Sequence, residues 1–319
     1  MRTPVIRPRI VVEHHVIEGN GQGVVNTDQG VTSTGAGVAS TGERGPGPTV
    51  ATRTGVLPVA KTPRPPAGQG RRNTQRVAVI IPAKDEAQRI ASTVRAARAI
   101  PHVDLVLVVD DGSTDDTQHV ARDAGAVVVR HSHNRGKAAA METGAAVVAM
   151  RDADGRAPRL LLFVDGDLGD TAVNTAPLVA PVREGVADLA IALLPRQTGA
   201  GGRGIVVGTA RRAIQHLTGW SPTQPLSGMR CLTREAFEAA TPLAHGWGVE
   251  TGMTIDLLRA GYVAVEVPCD LKHRASTNDL KGQVHRAAQY RDVILAVNAR
   301  RVRGAVAAVR GIGRDHARS

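Results

Sequence analysis

The chain has 319 residues, 42% hydrophobic and 2% aromatic, with a formal net charge of +11; it is long enough to bury a full core. Its aromatics, Phe163, Phe237, Trp220, Trp247, Tyr262 and Tyr290, are too few for the stacking platforms that grip single-stranded nucleic acid. The charge sits in the tails: residues 1–76 contribute +6 and residues 281–319 contribute +7, which leaves −2 for residues 77–280 and argues against a nucleic-acid footprint on the fold.

Residues 1–75 are rich in Gly, Thr, Val and Pro and sustain no period of two or 3.6, so a disordered tail is expected, with room for a short strand near Ile10–Val12. From Arg76 the pattern becomes regular, and a single catalytic domain is predicted over 76–280. Val77–Ile81, ended by Pro82, reads as a buried strand, and Gln88–Ala99 has helical spacing through Ile90, Val94 and Ala97. Leu105–Val109 is a second strand, followed by a helix near 115–123 that Ser113 or Thr114 is placed to cap. Val127–Val129, the Ala-rich helix Gly136–Met150 and the strand Leu160–Val164 continue the alternation. Strands separated by helices imply right-handed crossovers and an α/β, Rossmann-like fold with a mostly parallel sheet.

The second half is less regular. Leu189–Leu194 and Val263–Val267 read as strands, and Ile205–Leu217 and Gly248–Ala260 as helices. Residues 281–319 carry Ala287, Ala288, Ile294, Leu295 and Val302 among arginines, which predicts an amphipathic helix with a basic face. Such a helix either packs on the core or is drawn to anionic lipid. Cys231 and Cys269 belong to no close-spaced motif, and neither a membrane-spanning run nor a signal-peptide block is visible. The expected location is the cytoplasm, with peripheral contact at the inner membrane face open through the basic tail.

In open α/β sheets ligands gather beyond the carboxyl ends of the strands. That rule selects three acidic segments, Pro82–Glu86, Asp110–Thr114 and Asp165–Asp167. In Asp165-Gly166-Asp167 the central glycine lets a turn bring both carboxylates toward one place, and oxygen ligands of this kind suit Mg²⁺ or Mn²⁺ bridging a diphosphate. Asp-Gly pairs also form plain solvated turns, so the motif gains its weight from its two acidic neighbours. Asp111 is a fixed acceptor for a nucleobase imide or a ribose hydroxyl. Glu250 enters a helix after a Gly-flanked turn, and the backbone at Gly202 with the Arg203 guanidinium can receive an anionic acceptor. Gly199–Gly204 also fits a dinucleotide fingerprint, but follows no tight strand-turn and is discounted. His131 and His133 read as ordinary surface histidines.

Ile80-Ile81-Pro82-Ala83-Lys84-Asp85-Glu86, Val109-Asp110-Asp111-Gly112-Ser113-Thr114-Asp115, Asn134-Arg135-Gly136-Lys137 and Phe163-Val164-Asp165-Gly166-Asp167-Leu168 occur in a telling order and spacing. Over residues 76–275 the chain resembles family 2 type glycosyltransferases of the GT-A fold. Gln224–Gly228, Gly246–Gly252 and Lys272-His273-Arg274 are similar to the glucosyl-3-phosphoglycerate synthase branch. The resemblance implies metal-dependent transfer of a hexose from a UDP- or GDP-sugar, with Mg²⁺ or Mn²⁺ as cofactor. It places Pro82, Ala83, Glu86 and Asp111 around the nucleoside, Lys137 near the base or phosphates, and Asp165 and Gly166 against the donor. It makes Asp167 a metal ligand with His273, and Glu250 an acid facing the acceptor or sugar. The acceptor is expected to be anionic, as a phosphoglycerate is. A polyprenyl phosphate at a membrane, and a non-catalytic nucleotide-sugar-binding protein, remain alternatives, and a homodimer is open.

Overall fold

The computed structural model describes residues 75–152, 155–195, 203–271 and 287–302. The predicted N-terminal tail, Gly202, His273, the side chain of Arg203 and residues 303–319 lie outside what is described.

Seven strands form one sheet: β1 (Val77–Ala83), β2 (Val103–Asp110), β3 (Val127–Arg130), β4 (Leu160–Phe163), β5 (Leu189–Leu193), β6 (Arg230–Leu232) and β7 (Ala264–Pro268). Their order is β3-β2-β1-β4-β6-β5-β7. β1 pairs in parallel with β2 and β4, β2 with β3, and β5 with β7, while β6 runs antiparallel between β4 and β5. The register sets Ala83 beside Asp110 and Ile80 beside Phe163, so the three acidic loops leave one edge of the sheet together.

The helices are α1 (Ile90–Arg98), α2 (Thr117–Asp123), α3 (Lys137–Met150), α4 (Val179–Arg183), α5 (Arg203–Thr218), α6 (Arg234–Ala240) and α7 (Val249–Arg259), with α8 at 287–302. Alternate strand residues face opposite sides. Ala78 and Ile80 join Leu107, Phe163, Met141, Ile214 and Met253 in one core, while Val77, Val79 and Ile81 join Val108, Leu162, Ile90 and Leu178 in the other. Burial on both faces explains why these strands read as unbroken apolar runs. Cys231 and Cys269 are both free and buried.

The elements that escaped the sequence reading are short. β6 has three residues, and α6, capped by the Thr233 hydroxyl accepting from the Ala236 N–H, has seven. A 3-10 segment, Gly169–Leu178, fills the stretch before α4. α2 starts at Thr117, later than expected, and neither Ser113 nor Thr114 caps it; Asp115 accepts from the Thr117 N–H instead.

α8 is docked, as the packed alternative for the tail required. Val293, Ala296, Val297 and Arg300 are its buried stripe. Arg300 Nε donates to Gly252 O at 3.2 Å and to Asp256 Oδ2 at 3.0 Å, and Arg259 Nη1 donates to Arg300 O at 2.8 Å. The Trp247 N–H donates to Asp292 Oδ2 at 3.3 Å. Close approach depends on Gly248, where an added Cβ would lie 2.6 Å from Ala296 Cβ and 2.7 Å from Asp292 O. Among the described residues no helix is long and apolar enough to cross a membrane. Gly248→Val is therefore expected to lower unfolding free energy by about 1–3 kcal/mol, as overpacking does, which a shift in the urea midpoint would measure.

Candidate functional site

The first two acidic loops hold each other. Asp85 adopts φ of +56°, which turns the chain out of β1. Its N–H donates to Ser113 Oγ at 2.9 Å, the Glu86 N–H donates to Thr117 Oγ1 at 2.8 Å, and the Thr114 N–H donates to Asp85 Oδ1 at 2.7 Å. Asp110 closes its own turn, accepting from the Ser113 N–H at 2.8 Å.

Asp111 is buried and spans to the loop before α3. Its carboxylate accepts from His131 Nδ1 at 2.7 Å, from the Arg135 N–H at 2.8 Å and from the Gly136 N–H at 2.7 Å. His131 is buried too, with Nε2 3.0 Å from Thr143 Oγ1, which corrects its reading as a surface residue. A carboxylate taking two backbone N–H bonds and a ring donor fixes the loop it bonds. Asp111 therefore sets where Lys137, the first residue of α3, begins.

Lys137 is the centre of the site. Its Nζ lies 2.8 Å from Asp165 Oδ1 and 3.0 Å from Glu250 Oε1. Burial works against its charge, but attraction to the two carboxylates outweighs this and raises its pKa above the ordinary lysine range. Directly over the pair sits Gly228: a Cβ there would lie 2.5 Å from Lys137 Nζ and 3.0 Å from either Asp165 oxygen. A side chain at 228 would collide with the pair and force it to shift.

Behind this cluster lies Arg230, wholly buried on β6. Nε donates to Ser227 O at 2.8 Å, Nη1 to Glu250 O at 3.1 Å and to Thr254 Oγ1 at 2.8 Å, and Nη2 to Pro225 O at 3.1 Å. One guanidinium thus joins the Gly228 loop to the first turn of α7, where Glu250 resides. Burial lowers its pKa to about 10, against the attraction of Glu250 and Glu266.

Gly166 packs against the end of β1, where a Cβ would lie 3.4 Å from Ala83 Cβ and 3.5 Å from Pro82 O and Glu86 Cγ. Thr93 Oγ1 of α1 donates to Gly166 O at 2.9 Å and accepts from the Gly169 N–H at 2.9 Å, pinning the loop from below. Asp167 differs from Asp165. It is half-buried, and its carboxylate makes no hydrogen bond or ion pair to any other described residue. A hard oxygen donor left open beside an acidic loop fits Mg²⁺ or Mn²⁺. The described residues alone hold no group of three His, Cys, Asp or Glu side chains able to bind a metal.

The structure thus brings Pro82, Ala83, Glu86, Gly166, Asp165, Lys137 and Glu250 to the carboxyl ends of the central strands. Lys137, expected near a base or phosphates, pairs with two acids. Gly228, Arg230 and Thr93 were missed as functional residues. Gln224–Gly228 entered the sequence reading only as part of a resemblance, and the close approach of Gly228 and the buried fork of Arg230 show what the segment does.

The model of the family described as Glycosyl transferase family 2 matches residues 78–240. The chain is 32% identical over 214 residues to glycosyltransferase AglJ of Haloferax volcanii, covering 64% of this chain and 65% of the relative. It is 30% identical over 198 residues to glucosyl-3-phosphoglycerate synthase of Mycolicibacterium paratuberculosis, covering 56% and 59%. The chain therefore spans less than two thirds of the length of these curated relatives. Among solved structures, glucosyl-3-phosphoglycerate synthase from Mycobacterium tuberculosis with Mn²⁺, UDP and phosphoglyceric acid superposes with TM-score 0.58 at 28% identity, covering 73% of this chain and 80% of that one. The same enzyme with Mg²⁺ and UDP gives TM-score 0.58 at 26% identity, covering 73% and 81%.

Two outcomes follow for the site. Arg230→Met takes the donor from Ser227 O, Pro225 O and Thr254 Oγ1, while Glu250 O keeps the Thr254 hydroxyl, and is expected to cost about 3 kcal/mol or more in urea unfolding. Asp85, paired with Lys84 and bonded by the Thr114 N–H, has its pKa lowered from 3.8 to about 2. A depressed folded-state pKa stabilises above the unfolded value and loses that contribution as pH falls through the folded one. The clamp between the first two loops is therefore expected to persist at pH 4 and to release as pH approaches 2, which a carboxyl-carbon NMR titration of Asp85 would report.

Proposed function

The chain belongs to glycosyl transferase family 2, and from that premise we propose that it transfers a hexose from a UDP-sugar to an anionic acceptor with Mg²⁺ or Mn²⁺. The observation that carries the reading is the Lys137–Asp165–Glu250 cluster under Gly228, next to the open carboxylate of Asp167. Sugar recognition needs fixed acceptors for several hydroxyls, and two ionised acids held by one lysine provide them. Bare Gly228 lets its loop close onto that ion pair, where any Cβ would collide with the Lys137 ammonium.

In the reaction the anomeric carbon–oxygen bond to the diphosphate breaks, the acceptor hydroxyl oxygen bonds to that carbon, and its proton is lost. Asp167 would hold the divalent ion, with His273 as second ligand, and the ion when bound neutralises charge on the departing diphosphate. Pro82, Ala83 and Glu86 line the nucleoside side. Asp111 acts on the donor through the loop it anchors, ahead of Lys137. Asp165 and Glu250 orient the sugar, and Glu250, at the start of α7, also faces the acceptor. Lys137 offsets the negative charge of both acids and adds positive charge where negative charge develops. Gly202 and Arg203, at the start of α5, are assigned to the acceptor's anionic group. The UDP, metal and phosphoglyceric acid held by the solved relatives support this choice of donor, cofactor and acceptor class. A lipid-linked phosphate meets the same requirement for an anion.

A thermal-shift panel of nucleotide-sugars with and without Mn²⁺ tests the donor, and a UDP-sugar is expected to give the largest shift. Asp167→Ala is expected to reduce Mn²⁺-dependent donor turnover at least about 100-fold, with melting nearly unchanged because the carboxylate has no partner among the described residues. Equal turnover in both proteins would sink the metal assignment, and no turnover in the parent would favour a non-catalytic binding protein.

A further inference from the structure

Away from the site, α5 and α8 share one outward face. Arg212 and His216 of α5 and Asn298 and Arg301 of α8 line a groove of about 250 Å³ whose floor is Ala213 and Val297. Neither Arg212 nor Arg301 pairs with another described residue. Among the described residues no carboxylate lines the groove. α5 contains no Asp or Glu, and the single acid in 287–302, Asp292, is turned to the Trp247 N–H.

Large apolar side chains flank these cations in the open. Ile205 is 72% exposed, Leu295 60% and Val302 62%. Ile205 precedes Thr209, Arg212 and His216 at helical spacing on one stripe of α5, and Leu295 and Val302, seven residues apart, form the stripe beside Asn298 and Arg301 on α8. Three exposed aliphatic residues interleaved with unpaired cations are the composition of a surface that lies in a bilayer interface.

We propose that this α5–α8 face docks the protein on an anionic lipid bilayer. Charge selects the occupant. The chain's own tails are cationic, +6 over residues 1–76 and +7 over 281–319, so they do not bring the negative charge the groove calls for. A second copy in a self-matching pair would set the same cations against each other. An anionic membrane supplies both negative headgroups and an apolar layer for the three aliphatic side chains. The proposal stands apart from the transferase reading, because the face is defined by residues outside the acidic site.

The test is co-sedimentation of the full chain with phosphatidylcholine vesicles containing about one third phosphatidylglycerol, against pure phosphatidylcholine, at low and high salt. Binding is expected only to the anionic vesicles and is expected to weaken with salt. Arg212→Gln with Arg301→Gln is expected to lower the partition coefficient about 30-fold, from the usual contribution of a cation at such a surface. Leu295→Ser with Val302→Ser is expected to lower it at least about 10-fold, while thermal unfolding confirms that both variants are folded. Parent-like binding by both variants would place any lipid affinity in the tails and overturn the proposal, as would no binding by the parent. So would a dimer in sedimentation velocity that Leu295→Ser with Val302→Ser dissolves, since the face would then belong to a second copy.

Discussion

Everything at the candidate site converges on one ammonium group. Lys137 stands between Asp165, at the end of β4, and Glu250, at the start of α7, and so joins the regular first half of the chain to the irregular second half. Two carboxylates this close would repel each other if ionised together, and a cation between them removes that penalty.

The scaffold around that ion pair can be read as a set of supports. Asp111 fixes the loop from which α3 and its lysine start. Thr93 pins the turn carrying Asp165 and Asp167. Arg230 binds the Gly228 loop to the backbone of Glu250, and Arg300 grips the same helix from the other side through Gly252 and Asp256. Each support is a charged or polar side chain spent on backbone groups, which fixes position with little freedom left. Asp167 is the exception, a carboxylate bonded to none of the other described residues. The division between Asp165 and Asp167 is thus physical: one is held in a pair and the other is open to a cation.

Membership of glycosyl transferase family 2 gives these supports a purpose. A transferase must bind a sugar, a diphosphate and an acceptor in one place while its own charges stay balanced. The sheet edge provides the place, because the parallel register of β1, β2 and β4 ends three acidic loops together. The α5–α8 face is a different kind of surface, open and cationic, and its logic is that of adsorption rather than chemistry.

Much of the first half was legible in the sequence. Val77–Ala83, Val103–Asp110 and Leu160–Phe163 are apolar runs because both faces of the sheet are covered, and acids stand out sharply at their ends. The family resemblance, too, is carried by contiguous residues. β6 was not legible: three residues carry no period, and its place between β4 and β5 comes from antiparallel pairing across long gaps in sequence. The partners of Lys137 were equally hidden, since Asp165 and Glu250 lie far apart along the chain and an ion pair depends on distance in space. The tail showed its helical, basic character in sequence, but which stripe it buries was decided by Gly248 and Gly252 allowing α8 to approach. The sequence by itself determined strands, acidic ends and family, all local properties of the chain. Tertiary structure alone decided which acid is paired, which is open and what lies behind them, because those follow from packing between remote segments.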